Sequence, residues 1–362
     1  MYFGYTDDEK IVKKSVRDLF QDKFNIEKVR KFIDNPEFPR ELQEQIAGIG
    51  LIGLISREGD KVENLMPLLA AFEEFGRALI PYPLIESVTG AYALSLDPNQ
   101  VELLGRVMEG QALLTVAWES EGEPAAEKGS DGYTASGSFI GVPFANAADH
   151  ILAFFTLRGT NELAAVVLNR DHPGVRVSVM ESMDHTFTQC KVDVSNYSFT
   201  EKDMVRTDIG AARLKAEMED LAALFASAEL TGVAEEAFNK TVEYTKIRKQ
   251  FGQEIARFQA LKHMAANMYV WVESCKVAVL YAGWAREEGV EPETISIAKA
   301  YASQAAMRVT GMCIQMHGGI GYTWESDMHL YFKRARRAGS QYGDAYLHRE
   351  RVMQHAIKAA GL

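Results

Sequence analysis

Cysteine is scarce in this chain: three in 362 residues, Cys190, Cys275 and Cys313, none at CxxC spacing. That excludes a disulfide framework and a cysteine-based zinc site, and leaves buried thiols in a reducing compartment as the expectation. Long apolar runs are missing too. Stretches such as Val277 to Leu280 fall far short of the ~20 residues that span a bilayer. The opening MYFGYTDDEK lacks a basic segment followed by an apolar one, and no lipidation signal closes the chain. A soluble, cytoplasmic protein is expected. Net positive charge is also absent: 39 Lys and Arg stand against 50 Asp and Glu, a formal charge of −11. A nonspecific grip on nucleic acid is therefore excluded as the leading function. No GxGxxG follows a strand-like run, no P-loop occurs, and there is no internal repeat.

What is present is ordinary globular material, 47% hydrophobic and 25% charged, enough for a large core and two or three domains. Thr6-Asp7-Asp8-Glu9 has capping-box spacing, and Ile11, Val12, Val16, Leu19 and Phe20 follow at helical intervals, so the chain opens in a helix. Helical stretches are predicted from about Pro39 to Ala47, Glu63 to Leu79, Leu84 to Leu94 and Asn99 to Glu109. After Gly110 the texture changes to short β-forming runs: Leu113 to Trp118, Tyr133 to Ile140, Ile151 to Thr156, Leu163 to Leu168, Val175 to Val179 and Cys190 to Val194. Between the first two, acidic Glu121, Glu123 and Glu127 read as a solvated loop. From about Ala211 the helical period returns in two long helices, interrupted by Gly289 and Pro292. Another helix runs from about Glu293 to Met316 and ends at Gly318-Gly319, and a last one covers Tyr346 to Ala359. Segregated helices, strands and helices make an α+β chain rather than an alternating βαβ one. The divisions fall at 1–111 for an N-terminal helical domain, 112–205 for a central β domain and 206–362 for a C-terminal helical bundle.

Two clusters could bear chemistry. The first is Arg248-Lys249-Gln250-Phe251-Gly252 with Phe258-Gln259, where a guanidinium could clamp a phosphate at a helix junction. The plainer reading leaves Arg248 and Lys249 solvated at a helix end and Phe251 and Phe258 in the core. The second is Gln315-Met316-His317-Gly318-Gly319-Ile320-Gly321-Tyr322, whose glycines let backbone amides approach a ligand. His317 alone reads as a structural histidine. The basic run Lys333, Arg334, Arg336 and Arg337 reads as a solvated face.

Together the two clusters and the domain order resemble the acyl-CoA dehydrogenase family, with its RxxFG segment and QxHGGxGY turn. The resemblance implies an N-terminal helical domain, a small β domain and a C-terminal four-helix bundle, assembled as dimers or tetramers with FAD between subunits. It further implies that Arg248, Phe251, Gln259, Gln315, Gly318 and Gly319 serve a neighbouring subunit's FAD. The implied reaction is α,β-dehydrogenation of an acyl-CoA thioester, with a carboxylate removing the α proton and electrons leaving to an electron-transfer flavoprotein. In this family the base is the glutamate of a Tyr-Glu-Gly-Thr segment. That segment falls on Tyr342-Gly343-Asp344-Ala345, which puts Gly343 at the base position, and the alternative glutamate position falls near Ala222. Asp344 is the candidate substitute; Glu229, two helical turns beyond Ala222, stands ~10 Å further along by helical rise. Two functions follow: a dehydrogenase using Asp344, or a half-site subunit of a heteromeric acyl-CoA dehydrogenase, acting on steroid side chains or dicarboxylic acyl groups, whose base comes from another chain.

Overall fold

A computed structural model describes residues 4–59, 61–290 and 293–361. It contains eleven α-helices and eleven strands among them. In chain order the first are α1 (Asp7–Lys23), α2 (Ile26–Asp34), α3 (Arg40–Gly48), a short two-stranded sheet of β1 (Ser56–Glu58) and β2 (Lys61–Glu63), α4 (Leu65–Ala78), α5 (Leu84–Ser95) and α6 (Val101–Met108). Then come β3 (Leu114–Ala117), β4 (Glu119–Lys128), β5 (Tyr133–Pro143), β6 (His150–Leu157), β7 (Leu163–Asn169), β8 (Val175–Met180) and β9 (Gln189–Phe199). The remainder is α7 (Gly210–Ile247), a hairpin of β10 (Lys249–Gln250) and β11 (Gln253–Glu254), α8 (Gln259–Glu288), α9 (Thr294–His317), α10 (Met328–Ser340) and α11 (Ala345–Ala359). Two compact units form: one from Met1–Arg30, Arg57–Ile80 and Ala223–Leu362, the other from Lys31–Ser56 and Pro81–Ala222.

The first unit is helical. The capping box forms as the sequence predicts: Glu9 N donates to Thr6 Oγ1 and Thr6 N to the Glu9 carboxylate. Its core gathers around the middle of α7, where Phe225 stacks on Phe72 at 4.5 Å between ring centres. Small residues let α4 and α7 cross backbone to backbone. A Cβ on Gly232 would run into the Glu73 carbonyl oxygen, and one on Gly76 into the Glu229 carbonyl oxygen, so glycine is required at both for packing rather than for backbone freedom. Beside this crossing, Glu73 accepts from Tyr5 Oη at 2.7 Å and from Lys13 Nζ, while Glu74 takes both arms of Arg17 at 2.9 and 2.7 Å. α8 ends at Gly289 with φ 71°, the left-handed C-terminal stop that glycine permits. Pro292, the other expected interruption, lies outside the described residues.

The second unit holds a seven-stranded sheet in the order β3-β6-β4-β5-β9-β8, with β7 paired to β6. It is mostly antiparallel; β3 and β4 both run parallel to β6. Each of the six expected runs is a strand. Val175 and Val177 are half-buried while Arg176 and Ser178 are exposed, the one-sided alternation of an edge strand. The acidic segment at 119–128 is corrected: it is a full strand, pairing Glu119 with Ile140 and Ala125 with Ser136 on one side and Ala125 with Thr156 on the other. Its first half is exposed, so apolar alternation is missing, and backbone pairing together with the Glu121–Lys191 ion pair at 2.7 Å holds it instead. The helices α2 and α10 are also additions. Among the described residues no helix is long and apolar enough to cross a membrane, and all three cysteines are buried.

Candidate functional site

The first cluster is built around the β10–β11 hairpin that joins α7 to α8. Arg248 closes the last turn of α7, its N–H donating to Tyr244 O at 2.9 Å, and its own carbonyl accepts from Ile255 N at 2.9 Å. Ile255 is the buried anchor of the hairpin. This brings Arg248 and Gln259, the first residue of α8, to the two ends of one short loop. Both side chains are exposed. Phe251 sits at the tip with φ 53° and is 92% exposed, touching Phe258 edge-on at 6.0 Å. The plainer expectation, that Phe251 is core, is therefore overturned: a left-handed turn lifts the ring off the surface instead of packing it.

Tyr244 ties the second cluster to the first. One turn before Arg248, its ring stacks on His317 at 4.2 Å and its hydroxyl donates to His317 O at 3.3 Å. His317 Nδ1 bonds Cys313 O at 2.8 Å, and burial pushes its pKa down, so it is a satisfied structural histidine. Gly318 terminates α9 with φ 65°. Gly318 and Gly319 face open space, and the exposed Gln315 carboxamide accepts from Tyr322 Oη at 3.4 Å. Tyr244 thus links the end of α7 that carries Arg248 to the turn that carries Gln315, Gly318 and Gly319, while Gln259 and Phe251 belong to the hairpin side.

Asp344 is not among them. It belongs to the loop between α10 and α11, and that loop is pinned to the opposite end of α9. Lys299, fully buried, donates to Gly343 O at 2.9 Å, Gly339 O at 3.1 Å and Ser303 Oγ at 3.3 Å. Lys299 and Gln315 are sixteen positions apart on α9, about 24 Å at 1.5 Å per residue. Asp344 is exposed, and its Oδ1 accepts from Tyr346 N at 3.0 Å and Leu347 N at 2.9 Å, which makes it the N-cap of α11. It also lines a cavity of about 520 Å³ together with Arg308, Arg336 and Arg349. Burial pushes Lys299 down to about 7, opposed by the negative charge of Asp344 and Glu229 and reinforced by Arg337. His348, also buried, bonds Tyr342 O through Nε2 at 2.9 Å and Ser296 Oγ through Nδ1 at 3.0 Å. Burial lowers its pKa to about 4, the Tyr342 carbonyl working against that.

Sequence reasoning missed this clamp. Its signal was available: Ser296, Lys299 and Ser303 fall on one helical face, and a lysine amid Ile295, Ala298, Ala300 and Ala302 needs an internal partner.

The basic run on α10 is a second correction. Arg334 is 0% and Arg337 8% exposed, so they form no solvated face. Glu229 Oε1 accepts from Arg334 Nη1 at 3.1 Å and Arg337 Nη2 at 2.8 Å, and Arg334 also donates to Leu79 O and Ile80 O. The i, i+3 spacing turns both guanidinia inward onto one carboxylate. That pairing engages Glu229 as a buried counter-ion.

In the sheet unit, the stretch Ala117-Trp118-Glu119-Ser120 meets the wall of a separate cavity of about 450 Å³, lined by Trp118, Ser120, Phe139, Phe154 and Lys215 among others.

Comparison with known proteins agrees with this architecture. Residues 216–357 match the model of the acyl-CoA dehydrogenase C-terminal domain. Acyl-CoA dehydrogenase IpdE2 of Mycobacterium tuberculosis is 30% identical over 297 residues, covering 82% of this chain and 79% of its own. Among solved structures, the ChsE4–ChsE5 complex from Mycobacterium tuberculosis superposes with a TM-score of 0.88 at 23% identity, over 98% of this chain and 99% of that one. The Tcur3481–Tcur3483 steroid ACAD G363A variant does so with a TM-score of 0.86 at 25% identity, over 98% and 99%. The helical and sheet units, the hairpin at Arg248, the glycine turn after α9 and this likeness along most of the length lead to one assignment: the chain belongs to the acyl-CoA dehydrogenase family.

Proposed function

We propose that this chain is the cofactor-gripping subunit of an acyl-CoA dehydrogenase whose proton-abstracting carboxylate comes from a different chain. The observation behind this reading is the loop before α11. Gly343 has φ 89°, and a Cβ there would lie 2.8 Å from His348 Nε2 and 2.9 Å from Leu347 Cδ2, so a side chain at that position would strain the backbone and displace His348 or Leu347. Asp344 spends a carboxylate oxygen on two helix-end amides, and Glu229 is bound to two arginines. Neither of these two carboxylates is mounted as the family's base would be, Asp344 being held as a helix cap and Glu229 as a counter-ion.

The other half of the family's equipment suits FAD. Among the described residues Arg248 has no side-chain hydrogen bond or ion pair, and it is exposed, as are Gln259 and Gln315, while Gly318 and Gly319 are unobstructed. A guanidinium and backbone amides match a pyrophosphate, and carboxamides match a nucleobase edge. Arg248, Gln315, Gly318 and Gly319 would hold the dinucleotide, with Phe251 and Gln259 flanking it. Bound FAD supplies the hydride acceptor for the β carbon. Because the grip and the Asp344 loop lie at opposite ends of α9, the residues of one chain would serve a flavin seated against its neighbour. A heteromeric setting is supported by the ChsE4–ChsE5 complex, which shares the fold. The steroid label of Tcur3481–Tcur3483 makes steroid-derived CoA thioesters the first substrates to test. An electron-transfer flavoprotein would be the electron acceptor of such an assembly.

A second reading keeps Asp344 as the base of a self-sufficient dehydrogenase, favoured by its place on the wall of the 520 Å³ cavity. Purification of the full chain alone separates the two. Flavin content, mass and bleaching by a panel of acyl-CoAs are measured. The subunit reading expects no bleaching until a base-bearing relative is added. Stoichiometric FAD reduced by an acyl-CoA in the chain alone, and abolished by Asp344→Asn, would establish the second.

A further inference from the structure

We infer that the residue standing at the family's base position is Tyr342, one residue earlier than direct matching of the tyrosines places it, and that a carboxylate at 342 alone would give this chain a base. The inference rests on the reading just given, that the chain lacks one.

The register comes from helix capping. Asp344 has extended backbone, φ −80° and ψ 176°, and its side chain accepts from the second and third residues beyond it. Threonine, the last residue of the Tyr-Glu-Gly-Thr segment, is one of the few residue types that perform this task. Matching cap to cap aligns Asp344 with that threonine, Gly343 with the segment's glycine and Tyr342 with its glutamate. Backbone geometry agrees. Gly343 at φ 89° is where glycine is favoured, and a side chain there would meet His348 and Leu347. The tyrosine-to-tyrosine match would put a glutamate in that strained, crowded position.

Tyr342 itself has φ 55°, a left-handed conformation that a bulky residue adopts only when its surroundings impose it. Those surroundings are named. His348 holds the Tyr342 carbonyl at 2.9 Å, and Lys299 holds the carbonyls of Gly343 and Gly339, both anchored on α9 through Ser296 and Ser303. The loop therefore keeps a rigid mount for a side chain at 342, while the side chain it bears is a phenol. A neutral phenol donates a hydrogen bond but is a poor acceptor of a carbon-bound proton, so the mount is intact and the base is missing.

The test is hydrogen exchange at the α carbon, which needs a base and no redox partner. The carboxylate takes the α proton as the C–H electron pair moves into the thioester enolate. The enolate then recovers a deuteron from the solvent-exchanged acid. Full-length wild type, Tyr342→Glu, Tyr342→Gln and Gly343→Glu are incubated in deuterium oxide with butyryl-CoA, octanoyl-CoA and a steroid-side-chain CoA thioester. Binding is followed by calorimetry and deuterium by mass spectrometry. Tyr342→Glu should exchange a bound thioester on the order of 100-fold faster than wild type or Tyr342→Gln, and Gly343→Glu should melt lower and give no gain. Exchange from Gly343→Glu, or none from a folded Tyr342→Glu that binds the thioester, overturns the register. A wild-type chain that binds none of the thioesters overturns the inference alone, because a chain without an acyl site has no base position to fill, and rapid exchange by wild type overturns the claim that a base is lacking and the subunit reading with it.

Discussion

Lys299 is the residue on which the loop before α11 depends. An ammonium has three donors, and here each has an acceptor: two carbonyls and a hydroxyl. Burial nonetheless lowers its pKa from 10.5 to about 7. The sign of the consequence follows from proton counting. Between about 7 and 10.5 the unfolded chain binds more protons at this site than the folded one, so stability rises with pH across that window. The contribution is complete above the unfolded value and is lost as pH falls through the folded one. Chemical denaturation of wild type and Lys299→Met between neutral and alkaline pH should give diverging stabilities, wild type gaining by up to about 1.4 kcal/mol per pH unit relative to the variant. Parallel curves would mean that the buried amine keeps an ordinary affinity for its proton. The sign at His348 is the same: its pKa falls from 6.5 to about 4, so its contribution fades as acid carries the pH through that lower range.

At the scale of elements, the α4–α7 crossing sets the core of the helical unit. Gly76 and Gly232 each meet a carbonyl oxygen of the facing helix, which places two backbones in direct contact and leaves no room for a methyl group. Gly232→Ala should destabilise the unit by roughly 1–3 kcal/mol or more, although alanine is the better helix former by about 1 kcal/mol, because overpacking at backbone cannot be relieved by a side-chain rotation. Thermal unfolding of the variant checks this; an unchanged or raised midpoint would show that the helices can move apart freely. Most elements were legible in the sequence because their burial follows a period. α1 announced itself by its capping box, and β5, β6 and β7 by continuous β-forming runs. β4 was not legible, because its acidic first half faces outward and its pairing is a backbone property. α10 was hidden for the opposite reason: Arg334 and Arg337 look like surface residues until Glu229, more than a hundred positions away in the chain, is brought beside them. A contact that distant leaves no local pattern.

For the molecule as a whole, α9 separates the two clusters on which the proposed function rests. One end presents the glycine turn and, through Tyr244, the Arg248 hairpin; the other holds the Tyr342–Asp344 loop. The grip proposed at Arg248 was readable only through the paired family motifs, since a lone arginine reads equally as a solvated helix end and the glycines as a helix stop. The loop before α11 was only half readable, since capping and left-handed backbone decide how its side chains project and neither shows in a spacing. A surface that serves a neighbour should be apolar around its charges, and the exposed side chains beside the hairpin include Ile247, 76% exposed, and Phe251, 92% exposed, with Tyr269 and Val270 on the adjoining stretch of α8. These aromatic and aliphatic groups stay wet in a single chain and would be covered in an assembly. Phe251→Asp sets a charge at the hairpin tip, where the isolated fold has no packing to lose, so the melting of a monomer should hardly change. In the native assembly the same substitution should shift the mass toward smaller species and lower the flavin retained per chain, both measured on one sample by light scattering and visible absorbance. Unchanged mass and flavin would place the neighbouring chain on another face and leave the hairpin with no partner to serve.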